Sequence, residues 1–122
     1  MVAGNASIPA ADGPVASQLR KGVLEYCVLA LLRDGPRYGV ELLAELARVE
    51  VMATSQGTIY PLLSRLRRTG LADTHLRDSE SGPPRRYYTL TDAGRSALEE
   101  FTTSWPSFRA AVDHFLTPGE TP

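Results

Sequence analysis

From Val23 to Leu32 nearly every residue is apolar (VLEYCVLALL), so the greasiness runs round the helix instead of along one stripe. Its flanks place a first helix over residues 17–33, with Ser17 as N-cap and Asp34-Gly35-Pro36 as stop and turn. A helix apolar on all sides must be covered on more than one. In a small domain that points to covering by a partner chain as well as by its own. Residues 38–49 predict a second, one-faced helix, with Val40, Leu43, Leu46 and Ala47 inward and Glu41, Glu45 and Arg48 outward. Residues 50–56 read as a turn. In the third helix Ile59, Leu62, Leu63 and Leu66 make the buried stripe. Pro61 constrains where that helix starts, because proline fits only where no intrahelical N–H is needed. A start near Gly57 or Thr58, or else a kink, is expected. The opposite face then carries Tyr60, Pro61, Ser64 and Arg68, flanked by Arg65 and Arg67, and Gly70 suits the C′ position.

Beyond Gly70 the period changes from helical to alternating. Leu71–Arg77 and Arg85–Leu90 predict two strands, the second placing Arg86, Tyr88 and Leu90 on one face and Arg85, Tyr87 and Thr89 on the other. DSESGPP between them reads as the turn. Thr91 caps a last helix of about 24 residues, whose apolar positions Leu98, Phe101, Trp105, Phe108, Val112 and Phe115 are spaced 3, 4, 3, 4, 3. This heptad stripe is too short to stand alone, and helix 1 of a second chain is its expected partner. Pro106 should bend the last helix or divide it. The fold class that emerges is mainly α with a small β-hairpin. Its parts are a flexible arm (1–16), a winged helix-turn-helix (17–90), a dimerisation helix (91–116) and a disordered tail (117–122).

Composition narrows the function. The chain has 122 residues, enough for one modest core, and a net charge of −1. Residues 55–95 carry seven arginines against four acids, a local +3, leaving −4 elsewhere. A locally basic face on a near-neutral protein suits sequence-specific DNA binding better than bulk polyanion binding; a solvated charged face would give the same count. No apolar run approaches the ~20 residues of a membrane span. The N-terminal residues have neither the basic nor the apolar region of a secretory signal. The single cysteine, Cys27, excludes an intrachain disulfide, so a cytoplasmic location is expected. His75 and His114 are far apart, with no Cys/His/carboxylate cluster at metal-ligand spacing. Nor is there a nucleophile elbow, a phosphate loop or an acid/base pair. No cofactor and no catalytic residue is expected.

The arginines of helix 3 gain a purpose if that helix enters a groove, where Arg neutralises phosphates and grips guanine edges. Thr58, Tyr60 and Ser64 supply donors for phosphate oxygens, and Arg65 and Arg68 the charge. Arg85 and Arg86 sit just past the hairpin tip, where a wing meets backbone or minor groove, and Tyr88 follows them as a further DNA-binding candidate. The bland readings are a surface helix with solubilising arginines and a strand edge protected by charge.

The segments GTIYPLLSRLRRTGL (57–71) and GPPRRYYTLTDAG (82–94) resemble signature segments of the PadR family of bacterial transcription regulators. LALLRDGPRYGVELL (29–43) is similar to that family's first two helices, and the resemblance spans roughly residues 20–116. It implies a homodimer whose last helices exchange between subunits, bound to double-stranded operator DNA. It also implies repression relieved by a small aromatic or hydrophobic effector. The single C-terminal helix resembles the shorter subgroup, some of whose members sense drugs with a tryptophan matching Trp105. Trp105 and its neighbouring phenylalanines are therefore either dimer core or a ligand platform. A winged-helix protein-interaction module and a small-molecule-binding dimer without DNA binding are the alternatives.

Overall fold

The first helix, α1 (Pro14–Arg33), starts ahead of the expected Ser17 because Pro14 sits at the N-terminal end with Gly13 as N-cap. A proline there loses no hydrogen bond and is already set to a helical φ. The computed structural model describes residues 13–119, so most of the expected arm, residues 1–12, lies outside the described residues, as do tail residues 120–122. Pro14–Ala16 of that arm are helical, and Ala16 is buried.

After α1 come β1 (Arg37–Tyr38), α2 (Gly39–Ala47), a 3-10 turn (Glu50–Met52), α3 (Gln56–Arg68), β2 (Ala72–Ser79), β3 (Gly82–Leu90) and α4 (Asp92–Leu116). The strands form one antiparallel sheet in the order β1-β3-β2. Leu24, Val28, Leu29 and Leu32 of α1 meet Leu42 and Leu46 of α2, the α3 stripe Ile59, Leu62, Leu63 and Leu66, and Ala72 and Tyr88 of the sheet. The α3 stripe is buried as its spacing requires. The stripe of α2 is shifted: Leu42 and Leu46 go inward with Leu43 beside them, while Val40 and Ala47 are exposed. Tyr38 is the N-cap of this helix, not its first turn, and the face it buries runs through Gly39, Leu42 and Leu46, which leaves Val40 outward.

α3 starts at Gln56, so Pro61 lies in its second turn and not within the first four positions. The helix runs through it with only the bond to the Gly57 carbonyl forgone, and the ring faces solvent. Gly70, with φ +82, closes α3. The Leu71 N–H donates to the Leu66 carbonyl (2.8 Å) and the Gly70 N–H to that of Arg67 (3.1 Å), a Schellman motif. Thr91 then ties α4 to this corner: its hydroxyl donates to the Gly70 carbonyl (2.7 Å) and accepts from the Gly94 N–H (3.0 Å). A Cβ on Gly94 would overlap the Leu71 carbonyl and stand 2.7 Å from Leu90 Cδ1, so only glycine allows this approach.

α4 continues through Pro106 as one 25-residue helix, so of the two expected outcomes, a bend or a division, the helix is not divided. Its first half packs on α1 of the same chain, where the Tyr26 and Phe101 rings stack at 4.2 Å. Intrachain packing therefore takes Leu98 and Phe101, which had been expected to meet a second chain's helix 1. Among the described residues no helix is long and apolar enough to cross a membrane.

Candidate nucleic-acid interface

Burial of Ile59, Leu62, Leu63 and Leu66 fixes the rotation of α3, and by helical geometry leaves Thr58, Tyr60, Ser64, Arg65 and Arg68 exposed. These side chains are not equally available. Arg65 Nη2 lies 2.9 Å from Glu25 Oε1 of α1. That pair is partly solvated, so it is worth only ~0.2–1 kcal/mol and yields readily to a phosphate. The Ser55 hydroxyl donates to Thr58 Oγ1 at the start of the helix (3.4 Å). The Tyr60 ring lies against Gly39 at the start of α2. Among the described residues Arg67 and Arg68 have no acidic partner, so the last turn of α3 carries uncompensated positive charge. Such charge sits well beside a helix C-terminus and remains available to an anion.

The wing is longer than the alternating pattern suggested. β2 runs to Ser79 and β3 starts at Gly82, leaving only Glu80-Ser81 as the tip. DSESGPP is thus mostly strand, distorted by an irregularity between Arg77 and Ser79 opposite Pro83 and Pro84. β1 pairs only with Tyr87 and Tyr88, so the prolines occupy a part of β3 whose outer edge is open, where a missing N–H costs little. Arg85 and Arg86 stand a few residues beyond the tip, paired across the ladder with Arg77 and Leu76. Like charges directly opposite one another destabilise a sheet. Here aromatic faces hold them: Arg77 lies 4.3 Å from the Tyr87 ring centroid, and Arg85 lies 4.7 Å from that of Tyr38. Arg86 donates to the Thr74 hydroxyl (3.0 Å). The result is a basic girdle below an acidic tip, with rotamers already restrained. Tyr88 is different: it is buried and its ring belongs to the core.

Residues 28–100 match the family described as the PadR-like transcriptional regulators. The chain belongs to this family. It is 35% identical over 83 residues to a transcriptional regulator of Mycobacterium tuberculosis, an alignment covering 68% of this chain and 76% of the other. It is also similar to the crystal structure of a PadR-like transcriptional regulator from Bacillus cereus, at 39% identity and TM-score 0.73, covering 84% of this chain and 99% of that one. A PadR-family structure from Eggerthella lenta gives 33% identity and TM-score 0.77, covering 86% and 91%. This PadR-like protein is thus a DNA-binding transcription regulator and not an enzyme, with a winged-helix fold.

The remaining expected residues of this PadR-like chain lie along α4. Leu98 is buried and Phe101 half-buried, but Trp105 (40%), Phe108 (67%), Val112 (51%) and Phe115 (82%) are exposed in the single chain. The Trp105 ring stacks on Phe101 at 5.6 Å. Together with Tyr26, Phe108, Glu100 and Ser104 they line a groove of about 590 Å³ between α1 and α4. Two contributors were not picked out from the sequence. Arg77 was counted as charge but not as part of the wing surface, and β1 was missed because two residues carry no alternation. The pairing of Arg37 and Tyr38 with β3 places Tyr38 beneath Arg85.

Proposed function

We propose that this regulator is a homodimeric repressor that binds double-stranded operator DNA in the cytoplasm and is released by a small aromatic or hydrophobic effector. The observation that carries the DNA-binding surface is the adjacency of the exposed basic face of α3 to the arginine girdle of the wing, since Tyr60, Arg85 and Arg86 line one cleft. In the dimer two α3 helices enter successive major grooves ~34 Å apart. Thr58, Ser64, Arg65 and Arg68 face the groove, and Arg77 and Arg85 meet the flanking backbone.

Dimerisation rests on the uncovered α4 stripe. Exposed aromatic and aliphatic side chains in one continuous row mark an interaction surface, and a helical stripe of this kind is matched by a second copy of itself. The repressing role follows from the family resemblance. The effector would lie in the α1/α4 groove, whose aromatic lining favours a flat apolar molecule. An effector there alters the spacing of the two reading heads. It needs to favour the non-binding spacing by only ~1–3 kcal/mol.

Selection of genomic fragments by the purified protein, followed by titration across salt concentrations, tests the function. Specific fragments with affinity falling steeply with salt are expected. Binding of flat compounds read from Trp105 fluorescence, with no DNA retained under any condition, would instead establish a small-molecule-binding dimer. A Trp105→Ala chain that dimerises but no longer responds to such compounds makes Trp105 a platform; loss of the dimer makes it core.

A further inference from the structure

Among the described residues Glu25 of α1 is the one acid ion-paired with α3. Its place is fixed from several sides. Leu24 before it is buried in the core, and Tyr26 after it stacks on Phe101 at 4.2 Å. Arg20, earlier on α1, donates to the Val51 carbonyl (2.7 Å) in the turn ahead of α3. The Glu25 side chain is only 24% exposed, against 48% for that of Arg65. α1 therefore holds Glu25 still, and Glu25 holds Arg65, whose Nη2 donates to its Oε1 at 2.9 Å.

Arginine carries a rigid fork of N–H donors, and this bond uses one of them. The other donors stay free for an acceptor, on a fork that is already oriented. Pairing also cancels the charge. The pair is weak in the free chain, but a duplex changes the balance. A backbone phosphate that drew Arg65 away would leave the Glu25 carboxylate without a cation beside a polyanion, and like charges so placed repel. A guanine edge asks for no such exchange, because its O6 and N7 can be met by the donors that Glu25 leaves free. Arg67 and Arg68 have no acidic partner among the described residues and serve any phosphate within reach.

We infer that Glu25 is a positioning residue that sets sequence selectivity. It keeps the Arg65 fork oriented for a guanine edge and removes Arg65 from the charges that bind phosphate on any sequence. This rests on the placement of α3 against DNA proposed above.

The test compares the full wild-type chain, Glu25→Gln and Arg65→Ala on a genomic fragment that the protein selects and on random duplex. Glu25→Gln keeps the shape of the side chain and drops its charge. It binds random duplex more tightly, by up to about fivefold per subunit, with a log–log salt slope steeper by about one. It gains less on the selected fragment, so selectivity falls. In that fragment 7-deazaguanine, which lacks the N7 acceptor, replaces each guanine in turn. One guanine per half-site matters in the wild-type chain, matters less in Glu25→Gln and not at all in Arg65→Ala. Equal gains on both duplexes with an unchanged guanine profile would reduce the pair to surface charge and overturn the inference. Loss of the fold in Glu25→Gln, read by thermal melting, would also overturn it, since the pair would then belong to the packing. Unchanged binding by Glu25→Gln while Arg68→Ala loses affinity overturns the role of Glu25 and leaves α3 in the groove. A wild-type chain that binds no duplex removes both.

Discussion

Phe108→Ala removes a ring that is 67% exposed in the single chain, from the middle of the uncovered α4 stripe. With ~200 Å² for a phenylalanine side chain, about 130 Å² of apolar surface is at stake, or about 3 kcal/mol per ring if a partner covers all of it. A dimer contains two such rings. If half of that surface is covered, the dimer loses about 3 kcal/mol, which is roughly a hundredfold in its dissociation constant. The intrachain core is spared, because Phe108 lies beyond the Tyr26–Phe101 stack that joins α4 to α1. Sedimentation equilibrium across the micromolar range reads the change, and Thr103→Ala, exposed on the opposite side of the helix, is the control. The wild-type chain and the control should be dimers where Phe108→Ala is largely monomer. A wild-type chain that stays monomeric at these concentrations, or a Phe108→Ala dimer of unaltered affinity, would refute the reasoning.

Gly94→Ala should lower stability by about 2 kcal/mol, since overpacking against the Leu71 carbonyl and Leu90 outweighs the ~1 kcal/mol of helix propensity that alanine gains. In thermal melting that is a fall of roughly 10 °C, and an unchanged midpoint would show that the corner relaxes. Burial raises the pKa of the Cys27 thiol above its ordinary value. At mildly alkaline pH less of it is thiolate in the folded chain than in the unfolded one. Disulfide-exchange reagents should therefore label it more slowly in the native protein, with the rate climbing at higher pH than for a free thiol. Equal rates in native and denatured protein would contradict this.

The buried stripe of α3, the two wing strands and the Thr91 cap of α4 could all be read from sequence, because each is a local period or a local cap. What could not be read depended on partners distant in the chain. The spacing of Val40, Leu43, Leu46 and Ala47 and that of Leu42 and Leu46 both fit a one-faced helix, and only the core that α2 meets selects the second. Pro61 and Pro106 look like boundaries, yet α3 and α4 each run through as one helix with the proline exposed. DSESGPP looked like a long turn because open edges and bulges tolerate prolines that a paired strand would not. The candidate site was legible as a set of residue types. The Arg65–Glu25 pair, the burial of Tyr88 and the planting of arginines on Tyr38 and Tyr87 are tertiary facts that no spacing encodes.

Binding of the wild-type chain and of Arg68→Ala to a selected genomic fragment, compared by fluorescence anisotropy at several salt concentrations, is the most direct test of whether α3 reads DNA. Arg68 is exposed and has no acidic partner among the described residues, so its loss should leave the fold unchanged. Affinity should fall by about tenfold or more, with a salt slope shallower by about one. Equal affinity and equal salt dependence in the two proteins would contradict the placement of α3 in the groove.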